Sequence, residues 1–352
     1  MLSKVRHIHA LTSIRRERVL PQAGHVLVRR LQKVTPTDVI VIASLNPKYI
    51  LFEIALGLNV TPVRADELLQ RRAGDDLTKG DVIAGPVGLF QRVIRAPQSG
   101  VVRIAGEGKV LFEISSPPFE LQAGMEGTVT NIIPERGAII ETRGALIQGV
   151  WGNGNITYGV MQPVSNNLNQ ELLAEQINIS FRGAILAAGY CSKPDVLKIA
   201  ATIPIKGLVL GSISSDLLQT AQAMKYPILV IDGFGTKPMN SEAEEILVAN
   251  KDRNVALNAQ VYDPFTGKVP EIIISQPNQP EPELPIESES LVSGKRVIIV
   301  NGSQAPQIGK IDLIHSRKKV LPSGIETRTA EVIFGNEKRA TISLTNFEIL
   351  KG

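Results

Sequence analysis

Between residues 19 and 161 short β-branched runs alternate with Gly, Pro and Asp, which predicts a succession of short strands and tight turns. Residues 24–43 read as strand, turn and strand. Residues 77–84 and 93–104 repeat the pattern, with turns at Gly80-Asp81 and Ser99-Gly100, so both stretches read as hairpins of one small barrel. Residues 46–74 interrupt it. Within them residues 65–72 predict a helix, because Asp66 and Glu67 come early and Arg71 and Arg72 late, complementing a helix dipole. Residues 124–141 continue the β signal. Residues 144–159 follow with five glycines and Trp151, and read either as a nest for an anion or as a tight β crossover; the crossover is preferred because no phosphate-loop spacing is present.

From residue 181 the period changes. Apolar strands at 183–188, 206–210, 226–231 and 254–258 alternate with helices at 193–202, 215–224 and 241–249, which predicts a parallel α/β sheet over residues 171–275. Residues 276–290 read QPNQPEPELPIESES, where prolines alternate with like charges and too little apolar surface is left to offset ordering, so 276–292 is expected to be a linker. Residues 293–352 return to short strands. The expected fold class is therefore mixed and multi-domain: a basic segment (1–18), a β region (19–165), an α/β domain (171–275), the linker, and a C-terminal barrel.

Two local resemblances accompany this organisation. The run Gly-Asp-Val-Ile-Ala at 80–84, followed by Ala-Pro-Gln-Ser-Gly-Val-Val at 96–102, resembles the barrel-sandwich hybrid of biotinyl and lipoyl carrier domains and their non-carrier relatives. Carrier domains attach their cofactor to a lysine within Met-Lys-Met or Asp-Lys-Ala. Neither tripeptide occurs, and Lys33 and Lys79 lack those neighbours, so a carrier function is not implied. The runs at 294–300, 308–311, 331–334 and 344–350 are similar to SH3-like barrels of the KOW type, whose members commonly contact RNA or protein. In combination these parts resemble a group of uncharacterised bacterial multi-domain proteins, which implies architecture only.

Charge changes the picture at both ends. Residues 1–34 hold eight basic side chains against Glu17 alone, and residues 294–352 hold ten against five acidic ones. Arg317, Lys318, Lys319, Lys338 and Arg339 are expected to be exposed on the last barrel, a patch suited to an anionic or nucleic-acid contact. The lone Cys191 excludes an internal disulfide, and neither a signal peptide nor an apolar run of membrane-spanning length is seen. A cytoplasmic protein without membrane insertion is expected.

Ligands of open parallel sheets bind beyond the carboxyl ends of the strands. Three such ends supply the candidate site: Gly189 with Ser192, Gly211 with Ser212, and Asp232 with Gly233 and Gly235. Helix capping by Ser192, Ser214 and Ser241 is the simpler explanation of the serines. If the strand ends hold a ligand, Asp232, read as a solvent-facing loop carboxylate, is expected on replacement by Asn to weaken binding of a copurifying small molecule with little change in melting temperature. Cys191 precedes a helix, but His7, His9, His25 and His315 all fall in other segments, so it is read as inert. No metal, cofactor or catalytic residue is expected, since no dinucleotide fingerprint, Walker loop or nucleophile elbow occurs. The leading expectation is a noncatalytic binding or scaffold protein engaging a protein or anionic partner. The alternatives are an enzyme or metabolite sensor centred on the strand ends, and an RNA-associated protein acting through the C-terminal barrel.

Overall fold

The computed structural model describes residues 2–351 except 45, 46, 116, 264, 266, 278–284, 287, 306 and 336. The chain is mostly β, with 48% strand and 13% helix, arranged as a large mixed sheet and several small ones. Strand β1 (Leu2–Val19) occupies what the sequence presents as a basic segment. Its arginines hide an apolar series, and Val5, Ile8 and Ile14 are all buried.

Residues 48–114 form a small unit of their own, which corrects the expectation of one barrel. Residues 24–43 pair outside it, with Phe119–Gln122 and Gly127–Ile133, while the stretch read as an interruption supplies one of its strands, Lys48–Glu53. Strands Lys48–Glu53, Lys109–Ile114, Gly100–Gly106 and Asp76–Leu77 make a four-stranded sheet, beside which β2 (Val82–Val87) and β3 (Arg92–Arg95) form a hairpin. Ile54, Leu58, Ile83, Val102 and Phe112 fill the core between them. The helix expected at 65–72 lies instead at Pro62–Glu67, where the Thr61 hydroxyl accepts the Arg64 amide and Pro62 starts the first turn. Beyond Glu67 the backbone turns to the hairpin: the Gly85 amide donates to the Leu68 carbonyl and the Gln70 amide to the Ile83 carbonyl. Tertiary hydrogen bonds therefore overrule the helix-forming composition of Leu69–Arg72.

The centre is a ladder that returns on itself, formed by β4 (Gly137–Gln148), β5 (Trp151–Gly152), β6 (Ile156–Pro163), β7 (Ile185–Cys191), β8 (Gly207–Ile213), β9 (Ile228–Phe234), β10 (Asn254–Asn258) and β11 (Glu271–Ser275). Strands β6, β7, β8 and β9 are parallel neighbours in chain order. From β6 the ladder continues antiparallel through β10 and β11 to β4, and from β9 antiparallel to β5. Only Gly149 and Val150 separate β4 from β5, which closes the circuit. The glycine-rich stretch is thus a β crossover, and a Cβ on Gly152 would stand 2.2 Å from the Ala259 carbonyl oxygen. The ladder also crosses residues 165–171, so the parallel strands form one hydrogen-bonded system with strands that precede them in the chain.

Both faces of these strands are buried, which explains their unbroken apolar sequences. Ile185 and Ala187 face one core with Val209, Leu229, Val255 and Ile272. Leu186 and Ala188 face the other, with Val196 and Leu197 of α1 (Pro194–Thr202) and Ala221 of α2 (Leu218–Gln222). Helix α3 (Ser241–Ala249) places Ala243 and Leu247 in the first core.

The C-terminal sheet comprises β12 (Ser288–Ser290), β13 (Arg296–Ile299), β14 (Ile308–Ile314), β15 (Thr329–Phe334), β16 (Arg339–Ser343) and β17 (Phe347–Lys351). Much of the expected linker, 278–284 and 287, lies outside the described residues, but its far end is β12. Strand β1 joins everything: Leu2–Lys4 pairs with β12, Val5–His7 runs parallel to β17, and Ile8–Val19 pairs with β4. Accordingly Val5 enters the C-terminal core, Ile8 the central core and Ile14 a third core with Ile140 and Ile273. Among the described residues no helix is long and apolar enough to cross a membrane.

Ile8→Ala removes a side chain 1% exposed within the central core. It is expected to lower stability by about 2–5 kcal/mol in urea denaturation. A loss below about 1 kcal/mol would show that β1 merely lies over the ring.

Candidate functional site

A cleft of about 490 Å³ opens at the carboxyl ends of β8 and β9. Its ring side carries Ser212, Asp232, Gly233 and Phe234, together with Gln148 from the end of β4. The opposite side comes from elsewhere in the chain: Lys4 and Arg6 of β1, the loop Val300–Gly302 after β13, and Glu348 of β17. Lys4 and Arg6 point the same way because alternate residues of a strand share a face. Tyr262 and Lys237 complete the walls, with the Lys4 ammonium 4.3 Å from the centre of the Tyr262 ring.

The polar groups at the floor build the cleft rather than wait for a ligand. Asp232 is 5% exposed, so the solvent-facing position expected from the sequence is corrected. One of its oxygens accepts the Asn240 amide at 2.8 Å and the other the Asn240 side chain at 2.7 Å. Asn240 in turn accepts the Ala243 amide at 2.9 Å, capping α3. Ser212 Oγ donates to the Lys237 carbonyl at 2.6 Å and accepts the Lys237 amide at 3.0 Å, with the Gly235 carbonyl 3.3 Å away. Together these bonds pin the loop from Gly233 to Asn240. Arg6 spans the junction, donating from Nε to Glu348 at 2.8 Å and from Nη1 to the Ile231 carbonyl at 3.5 Å.

The remaining candidates separate. Gly211 lies under the same loop, where a Cβ would stand 2.6 Å from Met239 Cα. The third strand end is covered by chain: a Cβ on Gly189 would stand 2.2 Å from the Gln170 carbonyl oxygen. Ser192 donates to Glu171. The capping expectation also changes, since Lys193 and Asn240 occupy the N-cap positions of α1 and α3, and Ser214 makes no side-chain cap bond. Cys191 is buried, and desolvation pushes its thiol up to about 11, away from nucleophilic use at neutral pH. His7 and His9 stack with ring nitrogens 3.1 Å apart. Among the described residues no group of three or more His, Cys, Asp or Glu is placed to hold a metal ion.

Most of the terminal positive charge is engaged internally. Arg16 makes a two-pronged pair with the buried Glu271, Arg15 faces Glu141 at 3.6 Å, and Arg18 donates to the Gln122 carbonyl. On the C-terminal sheet Arg317, Lys318, Lys319, Lys338 and Arg339 are all exposed, as expected. Yet Arg339 pairs with Asp312 at 2.6 Å, and Lys319 contacts His315 at 2.8 Å and Glu331 at 3.7 Å. These pairs dilute the positive field of that patch.

Two buried groups give the folded chain opposing pH responses. Burial raises Asp232 from 3.8 to about 6, against the hydrogen bonds of Asn240 and the charge of Arg6. Its contribution to stability is full below about pH 4 and is lost as pH rises through 6. Burial lowers His7 from 6.5 to about 4, helped by the charges of His9 and Arg16, so its contribution is present above 6.5 and is lost as pH falls through 4. Asp232→Asn sets an amide NH₂ against Asn240 donors and is expected to cost about 1–3 kcal/mol at pH 7. Urea midpoints at pH 7, 5.5 and 4.5 should show this variant falling further behind the parent chain on acidification, and His7→Asn losing less than the parent. Parallel profiles for all three would disprove the assignment.

In comparisons with known proteins the chain matches no family model and no curated protein, so the cleft is interpreted from its own geometry.

Proposed function

We propose that this chain is a noncatalytic binding protein that takes a small anionic ligand in the cleft between the central ring and the C-terminal sheet. The observation that carries this reading is Lys237. Lys237 lines the cleft beside Lys4 and the buried Arg6, and its ammonium makes no hydrogen bond or ion pair among the described residues. Arg6 and Glu348 cancel as a pair, which leaves Lys4 and Lys237 against the single carboxyl of Asp232. That carboxyl is held by Asn240 and raised by burial to about 6, so the walls carry a net positive charge that grows in mildly acidic solution. Binding is favoured over catalysis because Ser212 is committed to the backbone and no nucleophile and base face each other in the cleft among the described residues.

The finer domain reading belongs to the same proposal. The barrel-sandwich-hybrid-like, non-carrier reading expected over residues 19–165 is narrowed to the sheet and hairpin of residues 48–114, which hold the runs that carry the resemblance; the hairpin tip reads Gly-Leu-Phe-Gln at 88–91, without a lysine. Residues 293–352 are taken as an SH3-like barrel, supported by the antiparallel run from β16 through β15, β14 and β13 to β17. A cytoplasmic setting is taken from the single, buried Cys191. A protein partner fits the scaffold side of the proposal.

Thermal shift and calorimetry on the full chain with inorganic phosphate, a sugar phosphate and a tricarboxylate test it. At least one anion is expected to raise the melting temperature, by an increment that grows with ligand concentration and shrinks with salt. Lys237→Ala should weaken that binding roughly 10- to 100-fold, the size of one hydrogen bond to a charged group. Absence of any shift, or equal shifts in the variant, would defeat the proposal.

A further inference from the structure

At the far end of the hairpin β2–β3, Leu89 is 100% exposed and Phe90 is 92% exposed. Isolated exposed apolar residues are ordinary, but two adjacent large ones at a projecting tip are not. The arms of the hairpin are anchored, since Ile83 and Ala84 lie in the core of the small unit and Val87 and Ile94 pack against it. Gly88 and Gln91 turn the chain with positive φ values of 72° and 45°, leaving Leu89 and Phe90 between them.

Along the chain on either side of the tip the charge has one sign. From residue 82 to residue 106 the ionisable side chains are Arg92, Arg95 and Arg103, with no Asp or Glu. Arg103 is paired with Glu113, away from the tip. Arg92 stands directly behind it, opposite Val87 in the ladder, exposed and with no hydrogen bond or ion pair among the described residues. Arg95 lies further back, with Nη1 donating to the Gly80 carbonyl. An apolar point followed by uncompensated guanidinium groups complements a surface that is apolar in depth and anionic at its rim. A bilayer containing acidic lipids has that layering.

We propose that the 88–91 tip is a reversible anchor that seats Leu89 and Phe90 in the interfacial zone of an anionic bilayer, with Arg92 against headgroup phosphates. The contact is peripheral and needs no spanning segment. Two side chains bury little apolar area, so attachment is weak, as it is for a single acyl chain, and depends on the acidic lipid as its second signal.

The test is co-sedimentation of the full chain with phosphatidylcholine vesicles, with and without phosphatidylglycerol, at low and physiological salt. The chain is expected to partition onto the phosphatidylglycerol vesicles and to release with salt. Leu89→Ser combined with Phe90→Ser should reduce partitioning at least about tenfold while leaving the melting temperature unchanged, since neither side chain is buried. Arg92→Gln should weaken the preference for acidic lipid about fivefold. In Phe90→Trp, indole emission should shift to the blue when vesicles are added. No partitioning onto acidic vesicles overturns the proposal, as does partitioning that the Leu89/Phe90 variant retains. Concentration-dependent self-association abolished by that variant, without vesicle binding, would overturn it in favour of a protein contact.

Discussion

The extended course of Leu2–Val19 divides one strand's hydrogen bonds among three partners, and the rest of the molecule is organised around that division. Its first residues pair with β12, the next with β17 and the remainder with β4. Its apolar side chains follow suit, with Val5, Ile8 and Ile14 buried in three different cores. A strand that contributes to several cores resists separation of any one of them, because pulling it away uncovers apolar surface in more than one place at once. This brings the loop after β13 and the side chain of Glu348 up to the ends of β8 and β9, so the cleft exists because β1 ties the two sheets together.

Electrostatics reinforces the same junction. Arg6 is almost wholly buried where the ring meets the C-terminal sheet, and its bonds to Glu348 and to the Ile231 carbonyl join one to the other. Removing either charge would strand the other in a poorly solvated place. The pair between Arg16 and Glu271 does comparable work between β1 and β11. A cluster that looks in sequence like a basic arm for an outside partner is therefore largely spent inside the protein, whereas Lys237, which lines the cleft, has an ammonium without an internal partner among the described residues.

The cleft also shows how a loop can be made rigid enough to present a ligand group. Ser212 and Asp232 lie on adjacent strands at the opening of a parallel sheet, where the backbone leaves its ladder and its polar groups need new partners. Both supply them, Ser212 holding the middle of the 233–240 segment and Asp232 its end, and Asn240 passes the constraint on to α3. Lys237 is thus carried on a loop whose backbone is fixed at Lys237 itself and at Asn240, which lowers the ordering cost of binding.

Much of the architecture was legible from local pattern. Three of the expected parallel strands, β7, β8 and β9, and their helices were, because burial on both faces leaves unbroken apolar runs. The strand at 254–258, expected as a fourth parallel one, instead runs antiparallel beside β6 and β11, and the fourth parallel strand is β6. The strand-end location of the cleft was legible too, since Ser212, Asp232 and Gly233 follow those runs directly. What the chain by itself could not disclose is which distant segments meet. The alternation of Val5, Ile8 and Ile14 is diluted by arginines whose partners lie more than 100 residues away, so β1 read as a charged segment. The helix proposed over residues 65–72 failed for the same reason, its carbonyls and amides being claimed by the β2–β3 hairpin. Asp232 was found, but its burial was not, because it depends on the 233–240 loop returning to set Asn240 against its carboxylate. Local spacing determines what each segment is able to form; only the tertiary structure decides which hydrogen-bonding groups and charges are satisfied within the chain and which are left for a ligand.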